Sequence, residues 1–159
     1  MIIVSDTSPI NNLVAINHLH LLNQLYGTVF IPEAVYRELT DPNFPVAGAA
    51  EVQTFDWIQT RAVSDRTLVV ALSNELDIGE AEAIALVAEI QADQVLIDER
   101  RGRLVANRLN FRYTGILGIL VEAKSKGLIA EVRPLEAGFW VAEPLYNSVL
   151  QLVNEIDLA

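Results

Sequence analysis

The chain has 159 residues, 52% of them hydrophobic, and a formal net charge of −10. That length suits one domain with room for a real core, and the charge argues against broad, nonspecific nucleic-acid binding. No apolar run approaches the roughly 18 residues of a membrane span, and the absence of cysteine removes disulfide and thiolate chemistry.

No basic leader precedes the first apolar run, so no signal peptide is expected and a cytoplasmic location fits. Ile2-Ile3-Val4 is uninterrupted and β-branched, which predicts a buried strand over 2–5 in a parallel sheet. Asp6 follows on the turn. Ser8-Pro9 reads as a helix start, with Ser8 as N-cap and Pro9 as the first helical residue. That helix carries Ile10, Leu13 and Val14, and a second helical piece carries Leu19, Leu22 and Leu25 before Gly27 ends it. Residues 28–31 form a strand, and Pro32 opens a helix from about Glu33 to Thr40. A loop with two prolines follows over 41–45. A helix over 46–56, a strand or extended segment over 57–63 and a helix over 67–75 come next. A longer helix runs from Glu80 to about Gln91, a strand over 94–97 ends at Asp98, and a helix covers 100–109. A short strand over 111–114 and a helix over 115–126 complete the regular part. From about 127 to 159 a C-terminal helical extension alternates a Pro134 loop with helical stretches, the last from about Leu145. Strand alternating with helix is the pattern of an α/β fold with a parallel sheet and helices on both faces.

Four acids stand out. Asp6 ends the first strand, at the sheet edge where open α/β folds bind ligands, although a turn acid also serves as a helix cap. Glu38 falls, at 100° per residue, between Ala34 and Val35 at the edge of the inward arc of its helix. An inward carboxylate needs a partner, and a rim glutamate paired with an arginine is the competing account. Glu80 shares a face with Ala81, Ile84, Val87 and Ala88, so it is expected to aim from the helix start toward the sheet. Glu82 and Glu89 fall opposite, so Glu82 is expected to be solvent charge and is the less favoured alternative to Glu80 as a ligand. A favourable charge at the helix N-terminus also explains an acid at 80. Asp98 ends the strand Val95-Leu96-Ile97, with Glu99 beside it as an alternative ligand, and Asp98 also suits an N-cap. Like charges held close are costly unless protonated or bound to a cation. Oxygen-only donors point to Mg²⁺ or Mn²⁺, which can activate water for phosphodiester hydrolysis. Thr7 and Ser8 could orient a metal-bound water or an acid.

The average charge hides an asymmetry. Seven of the eleven basic residues lie between Arg100 and Lys126. Arg100, Arg101, Arg103, Arg108 and Arg112 are read either as one basic face or as ordinary solvated helix charge. The first three follow the fourth acid and are candidates to hold a phosphate backbone.

The segments Ser5-Asp6-Thr7-Ser8-Pro9, 31–39 with Glu38, 76–86 with Glu80, and 95–101 with Asp98 together resemble PIN-domain proteins, in that family's order. More closely, the chain resembles a prokaryotic PIN-like group similar to the VapC-type toxin ribonucleases of toxin–antitoxin systems. The resemblance implies a single PIN-like domain, a Mg²⁺ or Mn²⁺ site and cleavage of single-stranded RNA. It implies Asp6, Glu38, Glu80 and Asp98 as metal-binding and catalytic residues. It also implies a homodimer and, for toxins, a small antitoxin partner. Two departures matter. Glu80 stands where the family usually has aspartate, and Leu96-Ile97-Asp98 lacks the usual hydroxyl, so the fourth acid could slip from Asp98 to Glu99.

Other features carry less. His18 and His20 have no metal-motif spacing. Gly115-Ile116-Leu117-Gly118 lacks both the dinucleotide fingerprint and a P-loop lysine, so close helix packing accounts for it better. Trp57, Phe139 and Trp140 read equally as core or interface. The expected function is a metal-dependent endoribonuclease. Its rivals are an inactive PIN-like binding or regulatory protein with an acidic metal pocket, and a receiver-like phosphoryl-transfer domain. The latter needs a lysine at a strand end, and no predicted strand has one.

Overall fold

The computed structural model of the chain describes residues 1–132. The Pro134 loop, Phe139, Trp140 and the helix from about Leu145 lie outside the described residues. Among the described residues five strands form one all-parallel sheet: β1 (Ile3–Ser5), β2 (Val29–Pro32), β3 (Ile58–Arg61), β4 (Gln94–Leu96) and β5 (Tyr113–Thr114), in the order β3-β2-β1-β4-β5. The helices are α1 (Thr7–Ala15), α2 (His20–Tyr26), α3 (Glu33–Thr40), α4 (Ala49–Thr54), α5 (Arg66–Leu72), α6 (Ile78–Ile90), α7 (Arg100–Arg108) and α8 (Ile116–Ser125). Among the described residues no helix is long and apolar enough to cross a membrane.

The central strands β1 and β4 are buried, and alternation divides their side chains between two cores. Ile3 and Leu96 enter a cluster with Ile10 and Leu13 of α1, Leu21 and Leu22 of α2, and Ile119 and Leu120 of α8. Val4, Val95 and Ile97 enter the other, with Val69 of α5, Ile84 and Leu86 of α6, and Val105 of α7. Helices therefore cover both faces, as the sequence pattern predicts. Val35 and Leu39 tie α3 to the first cluster, and α3 also packs along α6.

From β1 the chain winds outward to β2 and β3, then crosses back to β4 on the other side of β1. The carboxyl ends of β1 and β4 thus flank a topological switch point, the place where open α/β sheets bind their ligands. Ser5 stands opposite Leu96 in the ladder, and the Asp6 N–H donates to the Leu96 carbonyl at 2.9 Å. The two strand ends that carry Asp6 and Asp98 are therefore stitched side by side.

Three local expectations are corrected. Ile2 is 40% exposed and precedes the strand. The α1 helix starts at Thr7, with Asp6 rather than Ser8 at the N-cap position. Pro9 fits inside the first turn because amide hydrogens there have no helical partner to lose. Glu82 is not solvent charge but 1% exposed. Residues Gly79 to Val87 of α6 are all buried, since α3, α5, α7 and the sheet pack around that helix. A helical wheel separates inside from outside only where a helix has a wet face. The Gly115–Gly118 segment is a close-packing element, as expected. A Cβ at Gly115 would lie 2.8 Å from Asp98 Oδ1, and one at Gly118 would lie 2.9 Å from Thr114 Cγ2.

Candidate active site

Asp6 is 3% exposed at the end of β1. Its carboxylate does not cap α1, so the capping account fails for it. Burial pushes its pKa up from 3.8 to about 8, and the charges of Asp77, Glu80 and Glu38 add to the rise. The Thr7 backbone N–H opposes it only in part.

Glu38 reaches this point from α3. Its Oε2 accepts the Thr7 hydroxyl at 2.7 Å. Burial raises its pKa and the Asp77 charge adds, while Thr7 and the Gly79 backbone N–H oppose. The first turn of α6 closes in from the third side. A Cβ on Gly79 would stand 2.5 Å from Glu38 Oε1 and 3.4 Å from Asp6 Oδ1. The missing side chain at Gly79 leaves room for the Glu38 carboxylate, while the distance to Asp6 is an ordinary contact.

Glu80, one residue on, is 2% exposed. Its Oε2 accepts the Asp77 N–H at 3.2 Å while Asp77 Oδ1 accepts the Glu80 N–H at 2.8 Å. This is a closed capping box at the start of α6. Burial raises the Glu80 pKa, with Asp77 next and Glu99 adding, while the Asp77 N–H and the charge of Arg101 oppose. Glu80 thus points inward from the helix start and also caps.

Asp6, Glu38 and Glu80 form one electrostatic group, since the other two bear directly on Asp6. Asp98 sits at the next strand end and is otherwise engaged. Its Oδ1 accepts the Ile116 N–H at the start of α8 at 2.7 Å, and its Oδ2 accepts from Asn12 Nδ2 at 3.2 Å. Burial raises its pKa against these two bonds and the Arg103 charge. Glu99 is exposed and its carboxylate caps nothing.

The remaining candidates separate clearly. Ser8 is half-buried in the first turn of α1. Glu82 faces away from the group toward α3 and α5. Its Oε1 accepts the Ala34 N–H at 3.0 Å, and its Oε2 pairs with Arg66 at 3.2 Å and Arg37 at 3.9 Å. Arg100 and Arg101 are exposed on the first turn of α7. Arg103 instead folds inward and donates to the Asp98 carbonyl. Its Nε is buried without a hydrogen-bond partner among the described residues. Arg108 is paired with Glu75 and Lys126 with Glu122, so the basic stretch is not one continuous face. His18 Nδ1 lies 2.5 Å from the Ile16 carbonyl.

Sequence reasoning passed over Asp77, whose charge acts on Asp6, Glu38 and Glu80 alike. The Asp77-x-x-Glu80 spacing is a capping-box signature and could have placed it.

Among the described residues no three acidic or histidine side chains already stand as a coordination cluster. Glu38, Glu80 and Asp98 each have an oxygen held by a protein donor. The donor chemistry nevertheless fits a hard divalent cation: carboxylates whose pKa is raised first by burial, with neighbouring carboxylates adding at Asp6, Glu38 and Glu80, and no sulfur or imidazole among them. Residues 2–155 match a family described as a PIN domain. No curated protein and no solved structure matches the chain.

Proposed function

The chain belongs to the PIN-domain family, whose fold is a nuclease fold, and on that premise we propose that it is a metal-dependent endoribonuclease acting on single-stranded RNA. The observation that carries this reading is the convergence of Asp6 and Glu38 on Gly79 at the switch point of the sheet, with the charge of Glu80 acting on Asp6. Carboxylates buried close together favour protons or a cation. Mg²⁺ or Mn²⁺ bound there would activate water and neutralise charge on a phosphodiester.

In this reading Asp6, Glu38 and Glu80 hold the ion, with Asp98 as fourth ligand and Glu99 as its alternative. Thr7 orients Glu38 through its hydroxyl. Ser8 stands ready to hydrogen-bond a water or the substrate. Arg100 and Arg101 offer charge to the RNA backbone at the exposed start of α7, where the helix N-terminus also favours anions. The resemblance to VapC-type ribonucleases extends the proposal to a cytoplasmic homodimeric toxin held by a small antitoxin.

The test is cleavage of mixed single-stranded RNA by the purified protein with Mn²⁺ or Mg²⁺, beside Asp6→Asn. Cleavage that needs the ion and disappears in the variant supports the proposal. Cleavage unchanged in the variant is contamination and sinks it.

One observation favours a second reading, a catalytically inactive PIN-like binding or regulatory protein. Glu80 already has a structural occupation in the capping box. Metal-dependent stabilisation without cleavage of any RNA would select that reading.

A further inference from the structure

Glu82 is a buried carboxylate that the proposed chemistry does not use. Its surroundings are built rather than incidental. It projects from α6 to the start of α3, where Pro32 at the N-cap position supplies no side-chain cap. The Ala34 N–H, an orphan donor of the first turn of α3, ends on Glu82 Oε1 at 3.0 Å. One helix therefore caps another. The negative charge also suits the positive end of α3. Arg66 of α5 and Arg37 of α3 close over Oε2 from the surface, 55% and 64% exposed, above a side chain that is 1% exposed. Each Glu82 oxygen thus has a donor, so the buried charge is compensated.

The place of this clamp matters. Ala34 and Glu38 are four residues apart and lie on the same side of α3, one turn from each other. Glu82 and Gly79 are three residues apart on α6. The clamp and the Gly79–Glu38 approach are therefore two contacts between the same pair of helices, about one turn apart. Fixing the first sets how far α3 can slide or rotate along α6. It therefore sets where Glu38 stands relative to Asp6 and Glu80.

We infer that Glu82 is a positioning residue: it locks α3 to α6 and holds the Glu38 carboxylate in register with the other acids. This inference rests on the metal-dependent reading of the site. Two substitutions separate its parts. Glu82→Gln keeps the length and the acceptor for the Ala34 N–H and loses the charge. Glu82→Met keeps the volume and removes every acceptor.

The experiment measures Mn²⁺ affinity by titration calorimetry on the full chain, with cleavage of single-stranded RNA as the second readout. Circular dichroism checks that each variant is folded. Glu82→Gln should bind Mn²⁺ within about twofold of wild type, and Glu82→Met about tenfold more weakly, the usual cost of losing a group that orients a ligand. In Glu82→Met, kcat should fall while KM for RNA holds. Because Glu82 acts through Glu38, Glu82→Met should cost no further Mn²⁺ affinity in a Glu38→Gln background. A Met variant that binds like wild type overturns the inference, as does a loss that persists undiminished without Glu38 or a Gln variant as damaged as Met. Wild type that binds no Mn²⁺ overturns the metal-dependent reading itself, and the inference falls with it.

Discussion

The Thr7 hydroxyl donates to Glu38 Oε2 over 2.7 Å, across 31 positions of sequence. It joins the turn that carries Asp6 to the helix that carries the second acid. Removing it leaves a half-buried carboxylate short of a donor. Thr7→Val, close in shape, should lower stability by about 1 kcal/mol and weaken Mn²⁺ binding by about tenfold. Thr7→Ser should restore both. Urea denaturation and calorimetry measure the two effects separately.

Gly79 predicts a split between stability and function. Alanine is favoured over glycine inside a helix by about 1 kcal/mol; Gly79 stands in the first turn of α6, so Gly79→Ala gains at most part of that. Its Cβ, however, would stand 2.5 Å from Glu38 Oε1. The end of a glutamate side chain is the softest neighbour, so Glu38 gives way. The expected variant melts no lower than wild type and loses at least about tenfold in cleavage rate, as a misplaced ligand would cost. A variant that melts far lower would show that the clash is taken up by the backbone instead.

Much of this was legible in the residues, and the limits have physical causes. The β-branched run before Asp6, Pro32 ahead of α3 and the apolar run before Asp98 place the strand ends to within one residue of where the structure has them. Glu38 could be placed because α3 has a wet face: Glu33 and Arg37 are exposed while Val35 and Leu39 are buried. Glu82 could not, because α6 has no dry-to-wet contrast along its buried turns. The partners of Asp98 were illegible for another reason. Asn12 and the Ile116 N–H come from α1 and α8, and no local pattern announces a bond between distant segments. The inward turn of Arg103 has the same origin.

Proton linkage gives a signed prediction. Burial raises Asp6 to about 8, and Glu38, Glu80 and Asp98 also rise above their ordinary values. The folded state then binds protons more tightly than the unfolded chain. The stability these groups contribute is full below about pH 4 and is lost as pH climbs toward 8. In EDTA, the melting temperature of wild type should therefore fall between pH 5 and 8. Asp6→Asn should flatten that slope and be the more stable protein at pH 8. Mn²⁺ competes with the same protons, so its stabilising shift should grow with pH. Thermal melts with EDTA or Mn²⁺ at each pH measure this, and a flat wild-type profile in EDTA would refute it.

Asp98 and Glu99 are separable by what each holds. Asp98 accepts from the start of α8 and from Asn12; Asp98→Asn keeps an acceptor for the Ile116 N–H but turns an amide donor toward Asn12 Nδ2, so it should cost about 1 kcal/mol of stability. It should also weaken Mn²⁺ binding. Glu99 makes no cap bond, and Glu99→Gln should leave stability unchanged to within about 0.5 kcal/mol. If Glu99→Gln weakens Mn²⁺ binding more than Asp98→Asn does, Glu99 is the fourth ligand.

The arginines after the fourth acid should divide in the same way. Arg100 and Arg101 are exposed, and a phosphate contact by either would release counterions from the RNA. Arg100→Gln and Arg101→Gln should each weaken RNA binding and reduce the salt slope of log K by about 0.7, the value for one contact on a single strand. Neither should move the melting temperature appreciably. Arg103 does different work: it is half-buried and donates to the Asp98 carbonyl, holding the loop after β4. Arg103→Gln should lower stability by about 1–3 kcal/mol, the cost of stranding a buried acceptor, and leave the salt slope alone. Binding isotherms at several salt concentrations, read beside thermal melts, distinguish the two classes. A salt slope that falls with Arg103 instead would mean that it leaves the Asp98 carbonyl to meet the RNA.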